Sequence, residues 1–290
     1  MATPWQVLDL TGYKGFISVS RGSLKIGEAI VPVADIGTIL LGDQCSWGFG
    51  LAEKASRYEI PVLVCDWKMT PVACLNGWSD NSRVAARQRA QSNLSEPRRK
   101  QAWQRIIKQK ISHQADVLEL FDSPVERRLR RLMQDVRSGD SKNAEAQAAS
   151  AYWRALFDDG FRRDPVFDDI TNGALNYGYT ILRGAVIREV CAAGLWPTLG
   201  VFHRQRDNTF ALADDLIEPF RPVVDLFVRE QSESLFQIDK ETRAGLVGLL
   251  SQKFLEDGTT VNGAVRSFAQ SFALYVEGDH EKLEVPKWKR

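Results

Sequence analysis

The sequence predicts an α+β chain: a small β-rich, sandwich-like N-terminal domain over residues 1–76, a linker over 77–82, and a mostly α-helical domain over 83–290. Three observations predict it. Short apolar runs separated by turn residues fill the chain up to about Leu75. The composition then changes to Gly, Asn, Asp and Ser in NGWSDNS, from Asn76 to Ser82. Beyond that point strand signals give way to segments with helical spacing.

Taken in order, WQVLDL, GFISVS, SLKIGEAIVPV and DIGTILL read as strands, with Gly22, Ser23 and Gly27 supplying turns. FGLAEKASRY, from Phe49 to Tyr58, has helical spacing and crosses between strands; IPVLVCD and TPVACL are strands again. Helices are predicted at about 83–94, 98–121, 125–138, 141–158, 170–193, 214–230, 239–255 and 260–275. The helix from 170 takes Asp168 or Asp169 as its cap. Asn172, Asn176 and Arg183 then line one face, and Leu175, Tyr179, Leu182 and Val186 pack the other. Gly173, Gly178 and Gly184 permit close helix contacts at some cost in helix propensity.

With 44% hydrophobic and 26% charged residues, the 290-residue chain is globular rather than disordered or fibrous, and long enough for about two domains. No apolar run approaches the roughly 18 residues of a membrane helix, and MATPWQVLDLTGYK lacks a basic region followed by an apolar stretch. A cytoplasmic location with no membrane partner is expected. Cys45, Cys65, Cys74 and Cys191 form no C-x-x-C pair and are expected to be small buried hydrophobes. Neither G-x-x-x-x-G-K-[ST] nor a post-strand G-x-G-x-x-G is present, which argues against the standard phosphate loops.

The formal net charge of +1 conceals a segregation. Residues 83–137 hold 14 Lys and Arg against six acids, or +8, and the remainder carries −7. A basic helical stretch of this kind suits contacts to a phosphate backbone; the alternative is a solvated face. The cations expected to touch DNA are Arg83, Arg87, Arg98, Arg99, Lys100, Lys108, Arg128 and Arg131.

Chemistry concentrates in GVFHRQRDNTFALADDLIEPFRP, from Gly200 to Pro222. His203 leaves a short apolar run, and Glu218 follows in what reads as the opening turn of a helix capped by Asp214 or Asp215, with Pro219 tolerable only in the first turn. Asp215 and Glu218 are three apart and would share a helix face. Glu145, in an alanine-rich helix that buries Tyr152 and Leu156, is the third candidate. Glu145, His203 and Glu218 together form an oxygen and nitrogen set suited to Mg²⁺ or Mn²⁺. Read singly, each has a plain alternative as a surface acid, a hydrogen-bonded histidine or a helix-start acid.

The runs NAEAQAASAYWRALF, NGALNYGYTILR, GVFH ending at His203, and LADDLIEPFRP resemble the CRISPR-associated integrase family, the spacer-acquisition nucleases of bacterial adaptive immunity, most closely the type II branch. The resemblance spans essentially the whole chain in order and spacing. It implies an N-terminal β domain joined to a helical catalytic domain, with Glu145, His203 and Glu218 as catalytic metal ligands and Asp215 as a supporting carboxylate. It also implies a homodimer that assembles with a small ferredoxin-like CRISPR-associated partner into a heterohexamer-type complex. The expected activity is insertion of captured double-stranded DNA fragments into CRISPR repeat DNA, by attack of a 3'-hydroxyl on a phosphodiester. Ala146 and Ser150 stand where the family often has Gly and Arg, and Glu218 where many branches have Asp, which keeps the donor and lengthens its reach. A structure-selective repair nuclease and a non-catalytic DNA-binding scaffold are the rival readings.

Overall fold

The computed structural model describes residues 6–66, 71–75, 77, 81–138, 143–158, 160–164, 169–203 and 205–289. Asp168, Trp5, Thr70, and residues 76, 78–80 and 141–142 of the expected linker and helix lie outside them.

Two four-stranded sheets form the N-terminal region. In the first, β1 (Gln6–Leu10), β5 (Ile36–Leu41) and β7 (Val62–Cys65) run parallel in the order β1-β5-β7, and β8 (Pro71–Leu75) closes the edge antiparallel to β7. The second has the order β4-β3-β2-β6: β2 (Phe16–Ser20), β3 (Ser23–Ile26) and β4 (Ala29–Pro32) form a meander, and β6 (Ser46–Trp47) pairs parallel to β2. Gly22 and Gly27, at φ of 86° and 59°, occupy the left-handed conformations of the two tight turns. The sequence did not announce β6, because two residues carry no periodicity. Helix α1 (Phe49–Arg57) crosses between strands as its spacing predicts.

The sheets enclose one small core that includes Leu10, Ile17, Leu24, Ile39, Leu41 and Val62. Strand β5 is buried along its whole length because both faces are covered. Its Leu40, with Leu63 and Cys65 of β7, points the other way into the core of the helical region. The two regions are therefore sewn together through the first sheet.

The helical part comprises α2 (Val84–Ser92), α3 (Glu96–Glu119), α4 (Glu126–Asp135), α5 (Ala144–Leu156), α6 (Ile170–Ala192), α7 (Ala211–Leu216), α8 (Arg221–Gln231), α9 (Lys240–Gly248) and α10 (Val261–Glu277). Asp169 caps α6 by accepting from the Asn172 amide. Helix α6 is the central post. A Cβ on Gly184 would lie 2.9 Å from Thr38 of the first sheet, and one on Gly178 would lie 2.5 Å from Val224 of α8. Close approach on two sides explains glycine inside a buried helix.

The single helix expected over 214–230 is a correction. Helix α7 begins at Ala211, ends at Leu216, and passes through a 3-10 turn, Glu218–Phe220, into α8. Pro219 and Pro222 each lack an amide hydrogen, so a continuous ladder of backbone hydrogen bonds cannot form here. Asp214 and Asp215 thus lie inside α7 and cap nothing. No helix among the described residues is long and apolar enough to cross a membrane.

Candidate active site

Four segments converge around Glu218. Helix α5 buries Ala144, Ala148, Tyr152 and Leu156, a strict four-residue stripe, and this places Glu145 at the margin of the buried face with its side chain 24% exposed. The 3-10 turn buries Glu218 almost completely. Helix α3 passes beneath both and presents Lys110. The Lys110 Nζ lies 2.9 Å from Glu145 Oε1 and 2.7 Å from Glu218 Oε2, while Arg221 Nε donates to Glu218 Oε1 at 2.8 Å. Two carboxylates and two cations thus balance within one cluster. Burial works to raise the Glu218 carboxyl, but Arg221 and then Lys110 outweigh it and hold the group down to about 2. The Lys110 approach to Glu218 Oε2 is off the hydrogen-bonding direction, so this buried oxygen has a charge partner without an aligned donor.

The fourth segment carries His203. The Gly200–His203 turn wraps around the Asp215 carboxylate: Val201 and Phe202 amides donate to Oδ2 at 2.5 and 2.9 Å, and the His203 ring places Nδ1 2.6 Å from Oδ1. Asp215 has no exposed surface. A side chain at Gly200 would put Cβ 2.5 Å from the His203 carbonyl oxygen and 3.0 Å from Asp215 Oδ2, so glycine is what permits the wrap. With Nδ1–H donating to Asp215, the Nε2 lone pair of His203 faces away from that partner. The hydrogen bond to Asp215 raises the imidazole pKa against burial. Phe202, half exposed, stacks on buried Trp103 of α3 at 4.3 Å between centroids, and Trp103 meets the His203 ring edge-on. Trp103, which interrupts the basic stretch in the sequence, is thereby a support for this turn.

Among the described residues, no three His, Cys, Asp or Glu side chains stand close enough to form a ready set of metal ligands. Glu145 and Glu218 are brought to one point, but that point is held by the Lys110 ammonium. The donors suit a hard divalent cation: two carboxylates already gathered on a positive charge, one with an oxygen lacking an aligned donor, and an imidazole oriented by a buried acid.

The sequence shows Lys110 as one of the cations of the basic stretch, Arg221 within EPFRP and His113 as one of three histidines, but assigns none of them a place in the site. Lys110 and His113 fall on the three-to-four-residue stripe that buries Trp103, Ile106, Ile107, Gln114 and Val117 of α3. A cation in register with an apolar face was the available signal. His113 is neutral and bridges two elements, with Nδ1 2.7 Å from the Pro219 carbonyl and Nε2 accepting from the Trp288 amide at 2.8 Å. Trp288 in turn stacks parallel to Phe254, so the C-terminal segment braces the Glu218 turn from behind.

The basic stretch divides. Arg87 is buried, with Nε on Glu277 and Nη1 on the Ala193 carbonyl, and Arg83 pairs with the same glutamate at 2.7 Å. Arg98 stacks over Tyr275 and donates to the Tyr275 and His280 carbonyls. Arg87 and Arg98, expected to touch DNA, already have partners within the chain, and both fasten α10 to α2 and α3. Arg99 donates to the Ser92 carbonyl at 3.1 Å, and Lys100 is exposed with Glu96 at 3.7 Å. Lys108 lines a surface groove with Arg105 and Leu283. Arg128 and Arg131 are exposed on α4. Arg128, Ala146, Gln147, Ser150, Ala151 and Arg154 line an open groove of about 520 Å³ between α4 and α5, the helix that carries Glu145.

Asn172 and Asn176 do not line a free polar face, because both accept from Arg163, at 2.7 and 2.6 Å; Arg183 pairs with Asp214. Of the cysteines, Cys65 is buried and Cys45, Cys74 and Cys191 are half-buried, which corrects the expectation of full burial for those three; none forms a disulfide. Burial pushes the Cys65 thiol up to about 12, far from a reactive thiolate.

Residues 10–242 match the family model of CRISPR associated protein Cas1. The chain is 40% identical over 220 residues to a CRISPR-associated endonuclease Cas1 of Neisseria meningitidis, covering 74% of this chain and 72% of that protein. Its fold is similar to that of a casposase bound to integration product, with a TM-score of 0.77 at 20% identity over 96% of this chain and 92% of the other. It is also similar to a chain of a Cas6-RT-Cas1–Cas2 complex, with a TM-score of 0.81 at 18% identity over 99% of this chain and 37% of that one. A buried acidic and cationic cluster set on this two-part fold, with the family model spanning most of its length, places the chain in the Cas1 family of CRISPR-associated proteins.

Proposed function

We propose that this chain is a divalent-metal-dependent DNA endonuclease and integrase of CRISPR adaptation, in which Glu145, His203 and Glu218 hold Mg²⁺ or Mn²⁺ and Asp215 orients His203. The observation that carries the reading is the gathering of Glu145 and Glu218 on the Lys110 ammonium, with a histidine fixed by a buried carboxylate near enough for its charge to act on Glu218. The relatives support the DNA chemistry, since one is an endonuclease by name and a structural neighbour is held with an integration product. When bound, the ion would supply Lewis-acid polarisation of the scissile phosphodiester and lower the pKa of the attacking 3'-hydroxyl.

The chain's own residues do the rest. Asp215 orients His203 through Nδ1, so that Nε2 would be the nitrogen available to hold the ion. Arg221 holds Glu218 ionised and in place on the buried side. The groove between α4 and α5, flanked by Arg128 and Arg154, offers a negatively charged strand a cationic surface on the helix that carries Glu145. Arg154 lies one helical turn beyond Ser150 on the same helix. Double-stranded DNA fragments and CRISPR repeat DNA are the proposed substrates. A homodimer joined by a small ferredoxin-like partner in a heterohexamer-type complex is the proposed assembly, supported by the Cas1–Cas2 arrangement of a structural neighbour.

Strand transfer of a 3'-hydroxyl fragment into a repeat-containing target with Mn²⁺ tests the reading. Glu145→Ala, His203→Ala and Glu218→Ala are each expected to reduce it at least about a hundredfold with DNA affinity largely kept. Undiminished integration by the Glu145→Ala, His203→Ala double variant would refute it. Cleavage of branched DNA without any preference for a repeat would point to a repair nuclease instead.

A further inference from the structure

We propose that Lys110 is the resident counter-cation of the active site, holding Glu145 and Glu218 together in the metal-free protein, and that a divalent ion binds by displacing its ammonium. The inference rests on the metal reading proposed above and adds a residue to it. Lys110 comes from the middle of α3 and reaches both carboxylates from a buried position, with its side chain only 13% exposed. Burial of a cation on a stripe that also buries Trp103, Ile106, Ile107, Ile111 and Val117, with the neutral His113 and Gln114, is costly unless it is paired, so this lysine is placed for the carboxylates and not for solvent.

Arg221 already neutralises Glu218 from its Oε1 side. With Lys110 present the two glutamates are fully balanced, and a dication entering at the same oxygens meets an ammonium within 3 Å of each. Like charges at that separation repel strongly at low dielectric, so ammonium and dication exchange and do not share the site. Lys110 thereby has two effects that a purely structural lysine would not combine. It keeps the carboxylates convergent when no ion is bound, and it weakens the affinity for the ion by the strength of the contacts that must be broken. The coupling is reciprocal: whatever Lys110 gains from the carboxylates, the ion must match.

The experiment measures Mn²⁺ binding directly, from the resonance signal of the free ion, together with thermal melting in chelator and in Mn²⁺. It uses the wild type, Lys110→Met and Lys110→Gln, without DNA. Both variants are expected to melt lower than wild type in chelator, to bind Mn²⁺ about tenfold or more tightly, and to show the larger rise in melting temperature on adding the ion. Adding His203→Ala to either variant should abolish that binding. Mn²⁺ affinity that is unchanged or weaker in both variants, while wild type binds the ion, overturns the role of Lys110 and leaves the metal reading standing. Absence of binding by wild type and both variants overturns the metal reading and this inference with it. Should Lys110→Met fail to fold, Lys110→Gln, which keeps donors but not charge, decides alone.

Discussion

At the scale of single residues, the site depends on partners that lie behind the metal-binding candidates. His113 is held neutral between the Pro219 carbonyl and the Trp288 amide, and burial pushes its pKa down to about 4 against an ordinary 6.5. Between those values the unfolded chain binds the extra proton and the folded protein does not. The contribution of His113 is therefore complete above pH 6.5 and is lost as pH falls toward 4, a loss of about 3 kcal/mol. Asp225, buried between the hydroxyls of Tyr152 and Tyr179 and pushed up to about 7, runs the other way, losing its contribution as pH rises through that value. Comparing denaturant unfolding of wild type and His113→Asn across pH 4 to 7 isolates the histidine. Equal pH slopes in the two proteins would contradict it. Asp215→Ala removes the acceptor of three backbone amides and of the His203 ring, and is expected to weaken Mn²⁺ binding by about 10- to 100-fold while costing about 2–3 kcal/mol of stability; both are read from titration and melting of one sample. His203, Glu145 and Glu218 stand out as candidates in the sequence because their neighbours carry a family pattern. Lys110 does not, since a lysine in a strongly basic helix looks like another surface cation until the apolar stripe around it is known to be buried.

At the scale of elements, most of the architecture was legible, and the failures have local causes. Strands β1 to β5, β7 and β8 and helix α1 follow apolar runs and turn residues that act over short range. The break between α7 and α8 does not follow from the sequence reading because Pro219 is placed there in the opening turn of one helix, whereas the chain has already completed a helix from Ala211. That break is functional in geometry: a continuous helix would carry Glu218 on a regular spiral, while the 3-10 turn delivers it to Lys110 and Arg221. The tight contact of α6 with α8 makes a separate prediction. Gly178→Ala places a methyl group 2.5 Å from Val224 Cγ1, and the overpacking is expected to cost about 1–3 kcal/mol in chemical denaturation. Gly248→Ala, where added volume meets nothing within 4 Å, serves as the control and should cost far less.

At the scale of the whole molecule, charge is the property that total composition hid and that the structure redistributes again. Some of the basic stretch fastens helices together, through Arg87 and Arg98, and some faces outward, through Arg128 and Arg131. Arg128→Glu with Arg131→Glu is expected to lower DNA affinity and to flatten the dependence of log affinity on log salt by about two. Neutralising Arg87 should unfold or soften the protein without that change in slope. Sequence spacing reports the excess of cations and not their direction, because direction depends on where α10 docks, more than 150 residues away in the chain. The core shared between β5, β7 and α6 has a consequence for how the protein is made. The helix-facing side of the first sheet, with Leu40, Leu63 and Cys65, has no cover until Ile170–Ala192 has been synthesised. A nascent chain stalled before that point presents a sticky parallel sheet to the cell, so the strand region emerges first from the ribosome yet must wait, unfinished or shielded by a chaperone, for the middle of its own message to be read.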